Sequence, residues 1–256
     1  MVLDTAPRLT SPWPAWPDVP GAGLVSLPPD RPCTRTQVHA AVSPFPGPGG
    51  NWGVLTDHRP WSETPLDLPA APGAWYQLAA AGGWQIVVGD TAHPIAHDIV
   101  TSRVQGRAGL TSGWCALPFA VPVLCAPATG PGVNALQTAV KALTAEGLPL
   151  QRTVVALTSM GAGRLPPPVR AAATMLQSQV FAVVNLPFDP HIRSHGLTDA
   201  ARLSRRTSEA TATLVADIVR AAQHTWGEPL PPAPVPAGLQ APGPPVSTRP
   251  VEGVLR

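Results

Sequence analysis

Lysine is nearly missing from this sequence. Lys141 is the sole example, and arginine supplies the rest of the 17 basic side chains, so any chemistry that needs a compact ammonium must use Lys141 or do without. Charge of either sign is scarce. Asp, Glu, Lys and Arg make up 12% of the 256 residues and nearly cancel at +2, which argues against bulk electrostatic attraction to nucleic acid or anionic lipid. No specific nucleic-acid partner is expected. Cys33, Cys115 and Cys125 form an odd set at spacings that match no thiolate metal site, so a disulfide scaffold is not expected and a reducing cytoplasm fits. Cys115 and Cys125 lie in apolar runs and read as buried hydrophobes.

A secretion signal is not expected, because Met1 to Pro20 carries Asp4, Arg8 and Asp18 among prolines and lacks a basic end followed by an apolar run. The uncharged stretch from Ala108 to Val140 is long enough to span a bilayer, but Pro118, Pro122, Pro127 and Pro131 interrupt it. It reads as loop, buried strand and helix start, with no integral membrane segment.

Proline is what the sequence has in excess, at 35 residues. Residues 1–20 and 228–256 hold Pro-rich segments without helical or strand period and are expected to be extended or disordered, leaving a domain over residues 21–227. Pro231-Pro232-Ala233-Pro234 has the composition of a polyproline ligand.

Between the ends, short apolar runs alternate with helical segments, the pattern of crossover units on a parallel sheet. Expected strands are Gly23 to Leu27, Trp52 to Thr56, Trp84 to Gly89, Val121 to Ala126, Thr153 to Thr158 and Phe181 to Asn185. Runs such as Ile86-Val87-Val88 and Val154-Val155-Ala156-Leu157 suit strands covered on both faces. Expected helices are Thr36 to Val42, Ala74 to Ala81, Val133 to Glu146, Pro167 to Gln177 and Asp199 to Thr225.

In open parallel sheets, ligands bind beyond the carboxyl ends of the strands. An apolar strand ending in Asp90-Thr91 presents an acid rigidly, as a magnesium-facing carboxylate requires. Taken in order, the strand ends carry a resemblance. Trp84 to Thr91 looks like the Walker B strand of the ParA/MinD family of P-loop ATPases. Val121 to Pro127 with Gly132-Val133, Thr153 to Ser159, and Phe181 to Pro190 resemble that family's following strands, the last with its Pro-containing segment beside the nucleotide base. The resemblance implies an α/β, three-layer Rossmann-like P-loop fold with a mostly parallel central sheet. It also implies an ATP or GTP site with magnesium at Arg35, Thr36, Asp57, Asp90, Thr158, Pro187 and Asp189.

The sequence departs from the family at its phosphate loop. Behind the expected first strand stand Pro28-Pro29-Asp30-Arg31-Pro32-Cys33-Thr34-Arg35-Thr36, where prolines lack the N–H groups that cradle phosphate and Asp30 repels it. Arg35-Thr36 stands where Lys-Thr is expected, and Arg is a planar fork where Lys is a point charge. Thr158-Ser159 replaces the Asn-Arg pair that recognises the base. The resemblance implies for Asp57 the role of the family's water-activating acid after the second strand, and an exposed turn acid is the alternative reading.

Three further groups of residues bear on other chemistry. His93 and His97, and His191 and His195, are spaced four apart with Asp98 beside the first pair, a spacing zinc ligands use on a helix and the basis of a metal-dependent hydrolase alternative. Ser159 lacks the glycine of a nucleophile elbow. Arg202, Arg205 and Arg206, with Arg193 upstream, cluster at the start of the last helix, where the readings are a solvated face or a contact with phosphate or an acidic partner.

The resulting expectation is a non-hydrolysing ParA/MinD-like protein with no cofactor and no catalytic residue. It would pair with a protein partner or with itself, as a regulator or scaffold in a positioning or secretion-type assembly. The alternatives are an active ATP- or GTP-binding protein using Arg35, Thr36 and Asp90, and the histidine-based hydrolase.

Overall fold

The computed structural model describes residues 1–28, 31–47, 51–196 and 202–237. Pro29 and Asp30 of the expected loop, the start of the last expected helix at Asp199, and the tail past Ala237 lie outside these residues.

Two sheets form the α/β architecture. The first holds β1 (Val2–Asp4), β2 (Ser43–Phe45), β3 (Trp52–Leu55) and β4 (Val88–Asp90) in the order β2-β3-β1-β4. β1 runs parallel to β3 and β4, and β2 is antiparallel to β3. The second is wholly parallel, with β5 (Val123–Pro127), β6 (Val154–Thr158) and β7 (Ala182–Leu186) in that order. No strand ladder joins the two among the described residues, so the expected single central sheet is two smaller ones.

Residues 1–20, expected to lie outside the fold, supply its first strand. Leu3 is 1% exposed, and three-residue β1 pairs on both sides. The strand expected at Gly23 to Leu27 is instead a 3-10 turn, Leu24–Ser26, whose Leu24 amide donates to the Thr56 carbonyl at 2.9 Å. A strand as short as β1 has too few alternations to register as periodicity, and prolines follow it closely.

Eight α-helices occur among the described residues: α1 (Arg35–Ala41), α2 (Pro72–Gly82), α3 (Ile95–Val104), α4 (Leu110–Cys115), α5 (Gly130–Ala145), α6 (Pro167–Gln177), α7 (Pro190–His195) and α8 (Arg205–Trp226). Their starts follow local chemistry. Thr34 and Gln37 form a reciprocal capping box on α1, α2, α5, α6 and α7 carry proline in the first turn where its missing N–H does no harm, and Ser204 caps α8. The uncharged stretch from Ala108 to Val140 resolves into α4, β5 and most of α5. Among the described residues no helix is long and apolar enough to cross a membrane.

Apolar faces on both sides of the second sheet are covered. On one, Leu124, Ala126, Val155 and Leu157 pack under α5 and α6 with Val133, Leu136, Val140, Val169 and Leu176. On the other, Val154 and Val184 meet Ala221, Leu214 and Ile218 of α8. β6 is buried from Val154 through Leu157, as its continuous apolar run predicts. The equivalent expectation for Ile86-Val87-Val88 is corrected on one face: Val87 packs against the first core, whereas Ile86 is 73% and Val88 55% exposed, and β4 is an edge strand of its sheet. Cys125 is likewise exposed, whereas Cys115 is buried as expected.

At the β5–α5 junction the backbone passes so closely that a Cβ on Gly132 would stand 2.1 Å from the Pro127 carbonyl oxygen. Only glycine fits there, and its amide donates to Thr129 Oγ1 at 3.2 Å, capping α5.

Candidate functional site at the carboxyl edge

Three parallel strands of the first sheet end in acids or lead into one. Asp4 closes β1 and lies opposite Asp90 at the end of β4, while β3 runs on through Thr56 to Asp57. Asp4, Thr56 and Asp57 are buried, and Asp90 is exposed.

Every one of these carboxylates is already engaged by the chain. Thr56 Oγ1 donates to Asp4 Oδ2 at 2.5 Å, Ser11 Oγ donates to the same oxygen at 2.7 Å, and the Ala6 amide donates to Oδ1 at 3.1 Å. Burial pushes the Asp4 carboxyl above its ordinary range, a shift that these hydrogen bonds oppose and the neighbouring Asp90 charge reinforces. Trp13 Nε1 donates to Asp90 Oδ2 at 2.6 Å. Thr5 fastens to the Asp90 carbonyl through its amide at 3.0 Å and its hydroxyl at 2.8 Å.

Asp57 sits in a cationic clasp. Arg59 grips it through Nε at 2.9 Å and Nη2 at 2.8 Å, and Arg8 Nη1 approaches its Oδ2 to 3.5 Å. The Arg59 hydrogen bonds hold the Asp57 carboxyl below its usual range, against the effect of burial. The Arg8 side chain is only 6% exposed. Its Nη2 donates to the Glu63 carbonyl at 2.7 Å, while Nη1 stays within ion-pair reach of Asp57 without forming a hydrogen bond and Nε has none. Beside this group, His58 Nε2 and Ser43 Oγ meet at 2.6 Å, and burial pushes the His58 imidazole below its ordinary pKa.

The expected site residues are therefore divided. Asp57 and Asp90 reach the same edge, as their positions behind strands imply. Arg35 and Thr36 do not join them. Both are exposed in the first turn of α1, and the Arg35 guanidinium lies against Gly83, which ends α2 ahead of β4, whereas Asp90 is the last residue of β4. The physical reason is the direction of α1: its carboxyl end receives the Ala22 and Gly23 amides beside Thr56, so its amino end lies toward the opposite edge. Lys141 is exposed on α5 and offers no replacement.

Thr158, Pro187 and Asp189 belong to the carboxyl edge of the second sheet. Thr158 is exposed, and its carbonyl accepts the Ala128 amide at 2.8 Å. Asp189 is buried and ties two helices together. It accepts the His191 amide at 2.9 Å to cap α7, and receives Thr207 Oγ1 at 2.7 Å and the Ser204 amide at 2.8 Å from the start of α8. The Thr207 hydroxyl, followed by the Ser204 amide, holds its carboxyl far below the ordinary range.

The histidines resolve into separate local roles. His93 Nε2 meets Thr111 Oγ1 at 3.0 Å, and Asp98 accepts the Leu110 and Thr111 amides at 3.1 and 2.8 Å, fastening α4. His191 and His195 stack with ring centroids 4.9 Å apart. Among the described residues no three His, Cys, Asp or Glu side chains come together as a metal site.

Asp4, Arg8, Ser11, Trp13, Thr56 and Arg59 escaped sequence reasoning. The one available signal was Val2-Leu3-Asp4, an apolar pair ending in Asp like the strand before Asp90, at the start of a Pro-rich segment. No family model, no curated protein and no solved structure matches this chain.

Proposed function

We propose that this chain is a degenerate ParA/MinD-like protein that no longer hydrolyses nucleotide and acts as a regulatory or scaffold partner for other proteins in a positioning or secretion-type assembly. One observation carries the reading: the carboxyl edge where a nucleotide phosphate would be received is occupied by the chain's own Arg8, Ser11 and Trp13, bound to Asp57, Asp4 and Asp90. In the resembled family a glycine-rich loop with a lysine follows the first strand. Here β1 is followed by Thr5-Ala6-Pro7-Arg8-Leu9-Thr10-Ser11-Pro12, without glycine or lysine, and its cation is committed to Asp57 and the Glu63 carbonyl. Two prolines in that loop remove amide donors a phosphate would need. What such a fold retains after losing that loop is its surface, and the assignment to an assembly rests on family analogy.

Thermal-shift titration tests it, with ATP, ADP and GTP at up to millimolar concentration, with and without magnesium. A ligand at 100 times its dissociation constant adds about 2.7 kcal/mol, so binding would be conspicuous. The expected result is no shift. A magnesium-dependent rise that disappears in Asp90→Asn would overturn the proposal in favour of a working nucleotide site.

A further inference from the structure

The Pro-rich tail was expected to lack structure, yet its described portion turns back onto α2. Tyr76 Oη donates to the Pro234 carbonyl at 2.7 Å, and Gln77 Nε2 donates to the Ala237 carbonyl. The acceptors are three residues apart. That is the repeat of a left-handed polyproline helix, which has about 3 residues per turn and presents carbonyls i and i+3 on one side.

Sequence enforces that conformation. Pro231, Pro232, Pro234 and Pro236 fix their own φ, and each restricts the residue before it to extended backbone. Leu230 through Pro236 is therefore constrained at every position. A segment so stiffened loses little entropy on docking, and a tyrosine hydroxyl joined to an amide donor, both aimed at backbone carbonyls, reads the shape of the ligand more than its side chains. Val235 remains 91% exposed, so its side chain takes no part in holding the tail, whose hydrogen bonds from Tyr76 and Gln77 are to backbone carbonyls.

We propose that the Tyr76–Gln77 edge of α2 is a docking surface for extended proline-rich peptides, and that residues 231–237 of the same chain are its resident ligand, to be displaced by a proline-rich segment of a partner. The tether gives the tail an effective concentration on the order of millimolar, so a partner must out-compete it or the tail must be released. This inference does not rest on the nucleotide reading, and its test uses no nucleotide.

The experiment uses the full chain with Pro231, Pro232, Pro234 and Pro236 each replaced by Ser, titrated with a fluorescein-labelled peptide spanning residues 228–237 and read by anisotropy. The tail-substituted chain is expected to bind the peptide at least tenfold more tightly than the unaltered chain. Adding Tyr76→Phe is expected to weaken that binding at least fivefold. A control peptide with its prolines replaced by serine should not bind. Absence of binding, equal binding to both chains, or indifference to Tyr76→Phe and Gln77→Ala would overturn the proposal.

A second reading does not depend on the fluorescein label. Tyr76 is the only tyrosine, so 3-fluorotyrosine gives a single 19F resonance that should move when the tail prolines are replaced and return when the peptide is added. An unmoved resonance would overturn the proposal, as would a dimer abolished by Tyr76→Phe, which would assign the site to a second copy's tail.

Discussion

Trp13 and Asp90, 77 residues apart, are joined by a 2.6 Å hydrogen bond from the indole N–H to the carboxylate. The bond places the segment after β1 across the end of β4, the position at which the sequence suggested a magnesium-facing acid. Trp13 also stacks edge-on against Trp16 at 4.6 Å and Trp52 at 6.3 Å, so the indole is fixed from two further sides.

Trp13→Phe should keep most of the ring packing and remove the donor, destabilising the fold by about 1 kcal/mol. Asp90→Asn should cost less. Combining them should be less than additive, because both remove one interaction. Urea denaturation of the four proteins checks this, and strict additivity would show that the bond contributes nothing in solution.

Trp75 is 2% exposed, and its indole N–H donates to the Pro69 carbonyl at 2.9 Å. Trp75→Ala should cost about 3–5 kcal/mol, enough to threaten the fold of the first sheet. Trp75→Phe should lose chiefly the hydrogen bond, about 1 kcal/mol. A thermal melt that ranks the two equally would contradict this packing.

Gly132→Ala should destabilise by about 1–3 kcal/mol, since the added methyl meets the Pro127 carbonyl oxygen at 2.1 Å. Gly130→Ala, two residues earlier, meets no atom within 4 Å and serves as the control. Comparable melting temperatures for the two variants would refute the close approach.

Stability should fall on mild acidification. Burial lowers the pKa of both His58 and His93, so the unfolded chain binds more protons than the native one. Their contribution is complete above the ordinary histidine value of about 6.5 and is lost as pH falls through the depressed native values. Asp4 acts with the opposite sign: its raised pKa makes stability decline as pH rises from about 4 toward the native value. Urea midpoints at pH 7.5, 6.5 and 5.5 should decrease in that order, and His93→Gln should flatten the profile. A flat profile in the parent protein would rule out the burial argument.

Asp189→Asn should loosen the starts of α7 and α8 together, since the one carboxylate serves both. Hydrogen exchange should accelerate at the Ser204 and His191 amides in the same variant. Because the Asp189 pKa is depressed, its stabilisation is present above the ordinary carboxylate range and is lost as pH drops below about 4.

Features with a local cause were legible from the residues alone. Continuous apolar runs placed β6 and β7 within a residue or two, Pro167 marked the start of α6, and apolar spacing gave most of α8. Asp57 and Asp90 were legible because an acid following a strand must emerge at the carboxyl edge. Everything set by contacts between distant segments emerged only on folding. β1 is a strand only because β3 and β4 flank it, since three residues carry no period of their own. The direction of α1 follows from how its carboxyl end docks beside Thr56, and that alone separates Arg35 from Asp90. The Arg8, Ser11 and Trp13 partners of the acids, and the tail on Tyr76, depend on chain returns that leave no local mark, because a hydrogen bond across 77 or 158 residues constrains neither sequence segment by itself.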